Sequence, residues 1–130
     1  SEHLQQKKWP YYDQLIKLIK QNHPNLKIVI APGPDEIEKA KKLDAVSILK
    51  EDKAISISEL AGLIKRSKFV VANDTGPAHM AAHLNVKGLS LFGSHTTAYK
   101  VSIERENFKA IQVSDLKNLS AQKVFERLDL

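Results

Sequence analysis

Phe69-Val70-Val71-Ala72-Asn73-Asp74-Thr75-Gly76-Pro77-Ala78-His79-Met80-Ala81-Ala82-His83-Leu84 reads as a strand, a turn and a helix in direct succession. The β-branched and aromatic residues at 69–72 suit a buried strand, and the Ala-rich run after Pro77 suits a helix. Between them stand an acid, a hydroxyl, a glycine and a proline. Asp74 or Thr75 can cap the first amides of the helix, and Pro77 needs no N–H partner in a first turn. A strand that ends in such a turn presents backbone N–H groups at the open edge of a sheet, a seat for phosphate. Taken alone, the stretch is better read as an ordinary capped helix.

Working outward, the same alternation repeats. Tyr12, Leu15, Ile16 and Ile19 fall at i, i+3, i+4 and i+7, one helical stripe that should end near Asn22-His23-Pro24. Residues 27–31 read as a strand closed by Pro32-Gly33-Pro34, residues 35–43 as a short charged helix, and 46–49 as a second strand. Ser56 and Glu59 have capping-box spacing ahead of the stripe Ile57, Leu60, Ala61, Ile64. After the central unit, 89–92 reads as another buried strand and 110–113 as a last short one. Ser120 then caps a helix with Ala121, Val124, Phe125 and Leu128 inside. The pattern predicts an α/β fold whose strands at 27–31, 46–49, 69–72 and 89–92 lie parallel in one sheet, covered on both faces. Tyr12, Ile16, Ile30, Val71, Ala81 and Leu91 should be buried.

The chain has 130 residues, 42% of them hydrophobic, no cysteine and a formal net charge of +5. That length holds one core, and the absence of cysteine excludes disulfides and thiol chemistry. No apolar run is long enough to cross a bilayer. The start, Ser1-Glu2-His3, lacks an initiator Met, so the chain is expected to be a piece of a longer protein. The positive balance suits an anionic ligand, but the lysines are dispersed and aromatics few, so nucleic acid is not the expected partner.

Three strand ends carry chemistry: Pro32-Gly33-Pro34-Asp35-Glu36, Asn73-Asp74-Thr75-Gly76 and Gly93-Ser94-His95-Thr96-Thr97. An acid can hold ribose hydroxyls while amides and hydroxyls hold phosphates, so together they can seat a nucleotide. Each loop alone is only turn chemistry. The G-x-G-x-x-G fingerprint of nicotinamide and flavin enzymes is absent. His79 and His83 stand at i, i+4, but no Glu follows His79 and no third ligand is evident, so no metal is expected.

Lys7-Lys8-Trp9-Pro10, Pro32-Gly33-Pro34-Asp35-Glu36, Asn73-Asp74-Thr75-Gly76-Pro77-Ala78-His79-Met80-Ala81-Ala82 and Leu91-Phe92-Gly93, in that order, resemble glycosyltransferase family 9. The ADP-heptose:lipopolysaccharide heptosyltransferases are its best-known members. The resemblance implies a Rossmann-like three-layer domain, the carboxyl-terminal, donor-binding half of a two-domain B-type glycosyltransferase fold. It implies a nucleoside-diphosphate sugar as donor substrate, no cofactor, and a lipopolysaccharide-type acceptor held by the other domain. Lys7 matches the residue that meets the donor's phosphates or sugar, and Asp74 the one that hydrogen-bonds the transferred sugar. Glu36 matches the acid on the ribose hydroxyls. Thr75 and Gly76 match positions whose amides face the diphosphate, and His79 a family residue near the phosphates or packed under the turn. A cytoplasmic enzyme follows, with peripheral association at the inner face of the membrane open to the full-length protein.

Plainer readings stand beside these. Lys7 and Lys8 near a chain end would ordinarily be solvated, Trp9 would pack on the first helix, and Glu36 would favour its helix through the dipole. The family continues Phe-Gly with Pro-Thr where this chain has Gly93-Ser94-His95-Thr96, and it has a mid-sheet strand before the K-x-W-P block where only Ser1 to Gln6 stand here. The resemblance implies that the acceptor domain, and the general base it carries, are expected to lie outside this sequence. The other functions compatible with the pattern are an inactive nucleotide- or partner-binding module and a nucleotide-sugar epimerase-like domain.

Overall fold

The computed structural model of the chain describes residues 9–73, 76–93 and 104–130. Its elements are α1 (Tyr12–Asn22), β1 (Val29–Ile30), α2 (Ile37–Lys41), β2 (Val46–Ser47), β3 (Leu49–Lys50) and β4 (Lys53–Ala54). Then come α3 (Ile57–Lys65), β5 (Val70–Asn73), α4 (Gly76–His83), β6 (Gly88–Phe92), β7 (Phe108–Gln112), a 3₁₀ turn (Leu116–Asn118) and α5 (Ala121–Glu126). Strands alternate with helices, and β5, β6 and β7 pair in parallel in that order.

The centre is β6. All five of its residues are buried, which a strand shows only when both faces of its sheet are covered. Side chains alternate across the sheet. Phe92, with Phe108 and Ala110 of β7, joins Ile64 of α3 and Ala78, Ala81 and Ala82 of α4. Leu89 and Leu91 point the other way, into a cluster with Trp9, Leu15 of α1, Leu116, Leu119 and Val124 of α5. Helices thus cover both faces, a Rossmann-like three-layer arrangement. Gly88 opens β6 because nothing larger fits: a Cβ there would lie 2.4 Å from the Phe108 ring and 2.6 Å from the Val70 carbonyl oxygen.

The helix ends follow the sequence signals. Ser56 caps α3 in a reciprocal box, its Oγ accepting from the Glu59 N–H at 3.1 Å while Glu59 Oε1 accepts from the Ser56 N–H at 3.0 Å. Ser120 Oγ accepts from the Lys123 N–H and caps α5. The first helix ends at Asn22, as its stripe requires. Past α4, Asn85 adopts φ 59 and the Val86 N–H returns to the Ala81 carbonyl, a left-handed helix stop that Asn tolerates.

Several expectations need correction. The strands expected in one sheet form two parallel ladders among the described residues, β1–β2 and β5–β6–β7. Ladder bonds require backbones about 4.8 Å apart, and β1 and β5 are not such neighbours. The expected strand at 46–49 divides at Ile48. Val46 and Ser47 pair with β1, whereas Leu49 and Lys50 turn back on Lys53 and Ala54 in an antiparallel hairpin. Its turn residues Glu51 and Asp52 both have positive φ, 52 and 64, without the Gly or Asn that would advertise such a turn. Ile57, expected inside, is 76% exposed, because the first turn of α3 stands clear of both core clusters. Of the residues expected to be buried, Ile16, Ala81 and Leu91 are so; Tyr12, Ile30 and Val71 are half-buried. Ile30 lies on a two-residue strand and Val71 on β5, which has a ladder partner on one side only among the described residues.

Candidate functional site

The carboxyl ends of parallel strands are where such a fold can bind a ligand, because the loops there open away from the packed layers. Asn73 ends β5, and Gly76 is the first residue of α4. In register with Asn73 is Leu91 of β6, followed by Phe92 and the buried Gly93. The second and third candidate loops therefore leave neighbouring strands at the same edge. The first leaves β1 in the other ladder. There Pro32 is buried, and the Glu36 N–H closes a turn on the Gly33 carbonyl at 3.0 Å. Glu36 stands at the N-cap of α2, and its side chain makes no capping bond to that helix.

Of the site residues expected from the sequence, the structure describes Glu36, Gly76 and His79. Lys7, Asp74 and Thr75 lie outside the described residues, as do Ser94 to Thr97 of the third loop. His79 is half-buried on α4, two positions before Ala81 and three before Ala82, which form the buried side of that helix. His83 is exposed, and among the described residues no group of three His, Asp or Glu side chains is placed to hold a metal.

Three contacts that sequence reasoning did not find secure this edge of the sheet. Trp9 is 3% exposed, and its indole Nε1 donates to the Leu119 carbonyl oxygen at 2.7 Å, across 110 positions. The Trp9 ring meets Tyr12 edge-on, centroids 4.9 Å apart, so the tryptophan does pack on the first helix as its plainer reading held. The Tyr12 hydroxyl donates to Asn73 Oδ1. Ser90, wholly buried in β6, reaches the Asn73 carbonyl oxygen with its Oγ at 3.4 Å. The one signal for the tyrosine contact was chemical: a Tyr on an apolar stripe must still find a partner for its hydroxyl. Burial raises the Tyr12 pKa well above the ordinary phenol range, so the group stays a donor at any working pH.

A surface cleft lined by Phe69, Lys87, Glu106, Asn107 and Asp129 lies elsewhere, at the amino ends of β5, β6 and β7. The Lys87 ammonium is held there by Asp129 at 3.0 Å. It is the wrong end of the sheet for the strand-end chemistry.

The sequence profile of glycosyltransferase family 9 (heptosyltransferase) matches residues 1–128, almost the whole chain. The chain belongs to glycosyltransferase family 9. Among curated proteins, it is similar to lipopolysaccharide heptosyltransferase 1 of Campylobacter coli, 29% identical over 114 residues, covering 81% of this chain. It spans 33% of that relative's length, about a third. Among solved structures it is similar to E. coli heptosyltransferase WaaC with ADP, with a TM-score of 0.75 and 25% identity. A second structure of that enzyme, with ADP-2-deoxy-2-fluoro heptose, matches with a TM-score of 0.77, again at 25% identity. Each match covers 93% of this chain and 38% of the other. Family 9 membership agrees with the Rossmann-like layers described above, which match the B-type glycosyltransferase fold of these enzymes.

Proposed function

We propose that the chain is the carboxyl-terminal, donor-binding half of a glycosyltransferase that moves heptose or a related sugar from a nucleoside diphosphate to a lipopolysaccharide-type acceptor. ADP-heptose is the favoured donor. The observation that carries this reading is the match, over 93% of the chain, to heptosyltransferase structures solved with ADP and with ADP-2-deoxy-2-fluoro heptose.

Glu36 then takes the ribose hydroxyls, Asp74 the transferred sugar, and the Thr75 and Gly76 amides the diphosphate, with His79 beside them. As the sugar–phosphate bond breaks, negative charge grows on the departing diphosphate. Lys7 and a helix N-terminus meet it there, where fixed positive charge lowers the barrier most. The sugar nucleotide is a substrate, and the reading calls for no cofactor. In this proposal 1–130 is one donor domain, and the acceptor and general base belong to another domain. The 130-residue chain by itself then has no turnover, since transfer needs both substrates held in line. Any contact with a membrane surface belongs to the whole protein; among the described residues no helix is long and apolar enough to cross a bilayer.

Titration of the chain with ADP, UDP, GDP and CDP tests this, with ADP expected to bind tightest. Glu36→Ala should weaken ADP by about 1–3 kcal/mol, the scale of hydrogen bonds to a charged group. In the full-length enzyme, Asp74→Ala should lower turnover more than ADP affinity. Unchanged ADP affinity in Glu36→Ala would remove the ribose role, and no binding of any of the four would overturn the proposal.

A further inference from the structure

We propose that Tyr12 is a positioning residue for the transfer reaction: through its hydrogen bond to Asn73 it fixes the carboxyl end of β5, one residue before Asp74 in the sequence. The inference rests on the donor-binding reading above and deepens it.

The geometry is specific. Tyr12 opens α1 two positions after Pro10 of the Lys7-Lys8-Trp9-Pro10 block, and its partner Asn73 lies 61 positions away, next to Asp74 in the chain. One phenol therefore joins the two blocks whose Lys7 and Asp74 the donor reading assigns to phosphate and sugar. The phenol is itself held. Its ring lies edge-on to Trp9, which is buried and anchored to Leu119 through Nε1. Asn73 is gripped from the opposite side, Ser90 Oγ reaching its carbonyl oxygen and Leu91 standing in register with it. With its side-chain oxygen held by Tyr12 and its backbone carbonyl by Ser90, Asn73 is fixed at the position that immediately precedes Asp74 in the chain. Misplacement of a sugar-binding group by a fraction of an ångström acts on the transition state more than on ground-state binding. The neighbouring Tyr11 is a built-in comparison, since its hydroxyl donates to the Lys117 carbonyl at 2.7 Å and not to Asn73.

The experiment uses the full-length enzyme carrying this chain. Tyr12→Phe keeps the ring against Trp9 and deletes only the donor. It should lower kcat by about tenfold while KM for the sugar nucleotide changes by less than about threefold. Asn73→Ala should give the same loss, and the double variant should be no worse than either single one. Tyr11→Phe should leave kcat unchanged. Wild-type kcat in Tyr12→Phe, an equal loss in Tyr11→Phe, or additive losses in the double variant would each overturn the proposal. If the wild-type enzyme does not turn over an ADP-heptose donor at all, the donor-binding reading has failed. Amide hydrogen exchange still decides the positioning role in that case: faster exchange at Asn73 and Gly76 in Tyr12→Phe supports it, and unchanged exchange refutes it.

Discussion

The two parallel ladders are built from the same strand–helix alternation and end up physically unlike. In β5–β6–β7 the middle strand is buried along its whole length, with Leu91 at 0% exposure and helices on both faces. In β1–β2 each strand has two residues, none of them is buried, and Val46 is 52% exposed. The difference teaches that an apolar β-branched run specifies extended backbone, while cover on both faces specifies stability. Local opening free energy follows buried apolar contact, so the first ladder should open well before the second. The proposed donor residues divide between them: Asp74 follows the strongly packed ladder and Glu36 the lightly packed one.

The comparison breaks most directly by truncating one residue in each ladder. Leu91→Ala should cost about 3 kcal/mol or more in urea unfolding, since a fully buried leucine leaves both lost transfer energy and a cavity. Ile30→Ala, at a half-buried position, should cost no more than about half as much. Equal losses would show that the first ladder is as tightly held as the second.

Glycines sharpen it next. Gly88→Ala pushes a methyl group toward the Phe108 ring and the Val70 carbonyl, and the carbonyl cannot step aside without disturbing the sheet. About 2 kcal/mol of stability should be lost. Gly33→Ala, in the loop after β1, meets nothing within 4 Å and should stay within about 0.5 kcal/mol of wild type. A reversed order would contradict the packing described at both positions.

The smallest effect concerns α3, which links the hairpin of the first half to the core of the second. Ser56→Ala removes its cap and should cost about 1 kcal/mol. The same change should flatten a pH dependence. The Glu59 carboxyl is held below its usual pKa, first by the Ser56 backbone N–H, then by the Ser56 side chain and Lys50. A lowered folded-state pKa lends stability above the ordinary glutamate range and loses it as pH falls through the lowered value. Comparing thermal melts of wild type and Ser56→Ala across the acidic range checks this, and parallel pH profiles would contradict it.

Much of the architecture was legible because it is local. The stripe Tyr12, Leu15, Ile16, Ile19, the Ser56–Glu59 box and the Ser120 cap each depend on residues within two helical turns, and each formed where the spacing put it. The motif blocks identified the family for a related reason: each is a short local spelling, and four of them in a fixed order rarely coincide by chance. The hairpin at Glu51-Asp52 was not legible, since Glu51 gives no signal for positive φ and no Gly follows Asp52. Nor was the division of 46–49, where four apolar and small residues look alike whether they continue one strand or bend into another.

The sequence by itself determined the kinds of elements, their order, the helix caps and the family, because backbone propensity, capping and motif spacing act over a few residues. Only the tertiary structure decided which ladder each strand joined, that β6 would be buried along its whole length, and that Ile57 would face water. It also decided that Tyr12 would spend its hydroxyl on Asn73 and Trp9 its indole N–H on Leu119. Those outcomes depend on which surfaces meet across tens of residues, and a buried donor takes whichever acceptor the packing brings within reach.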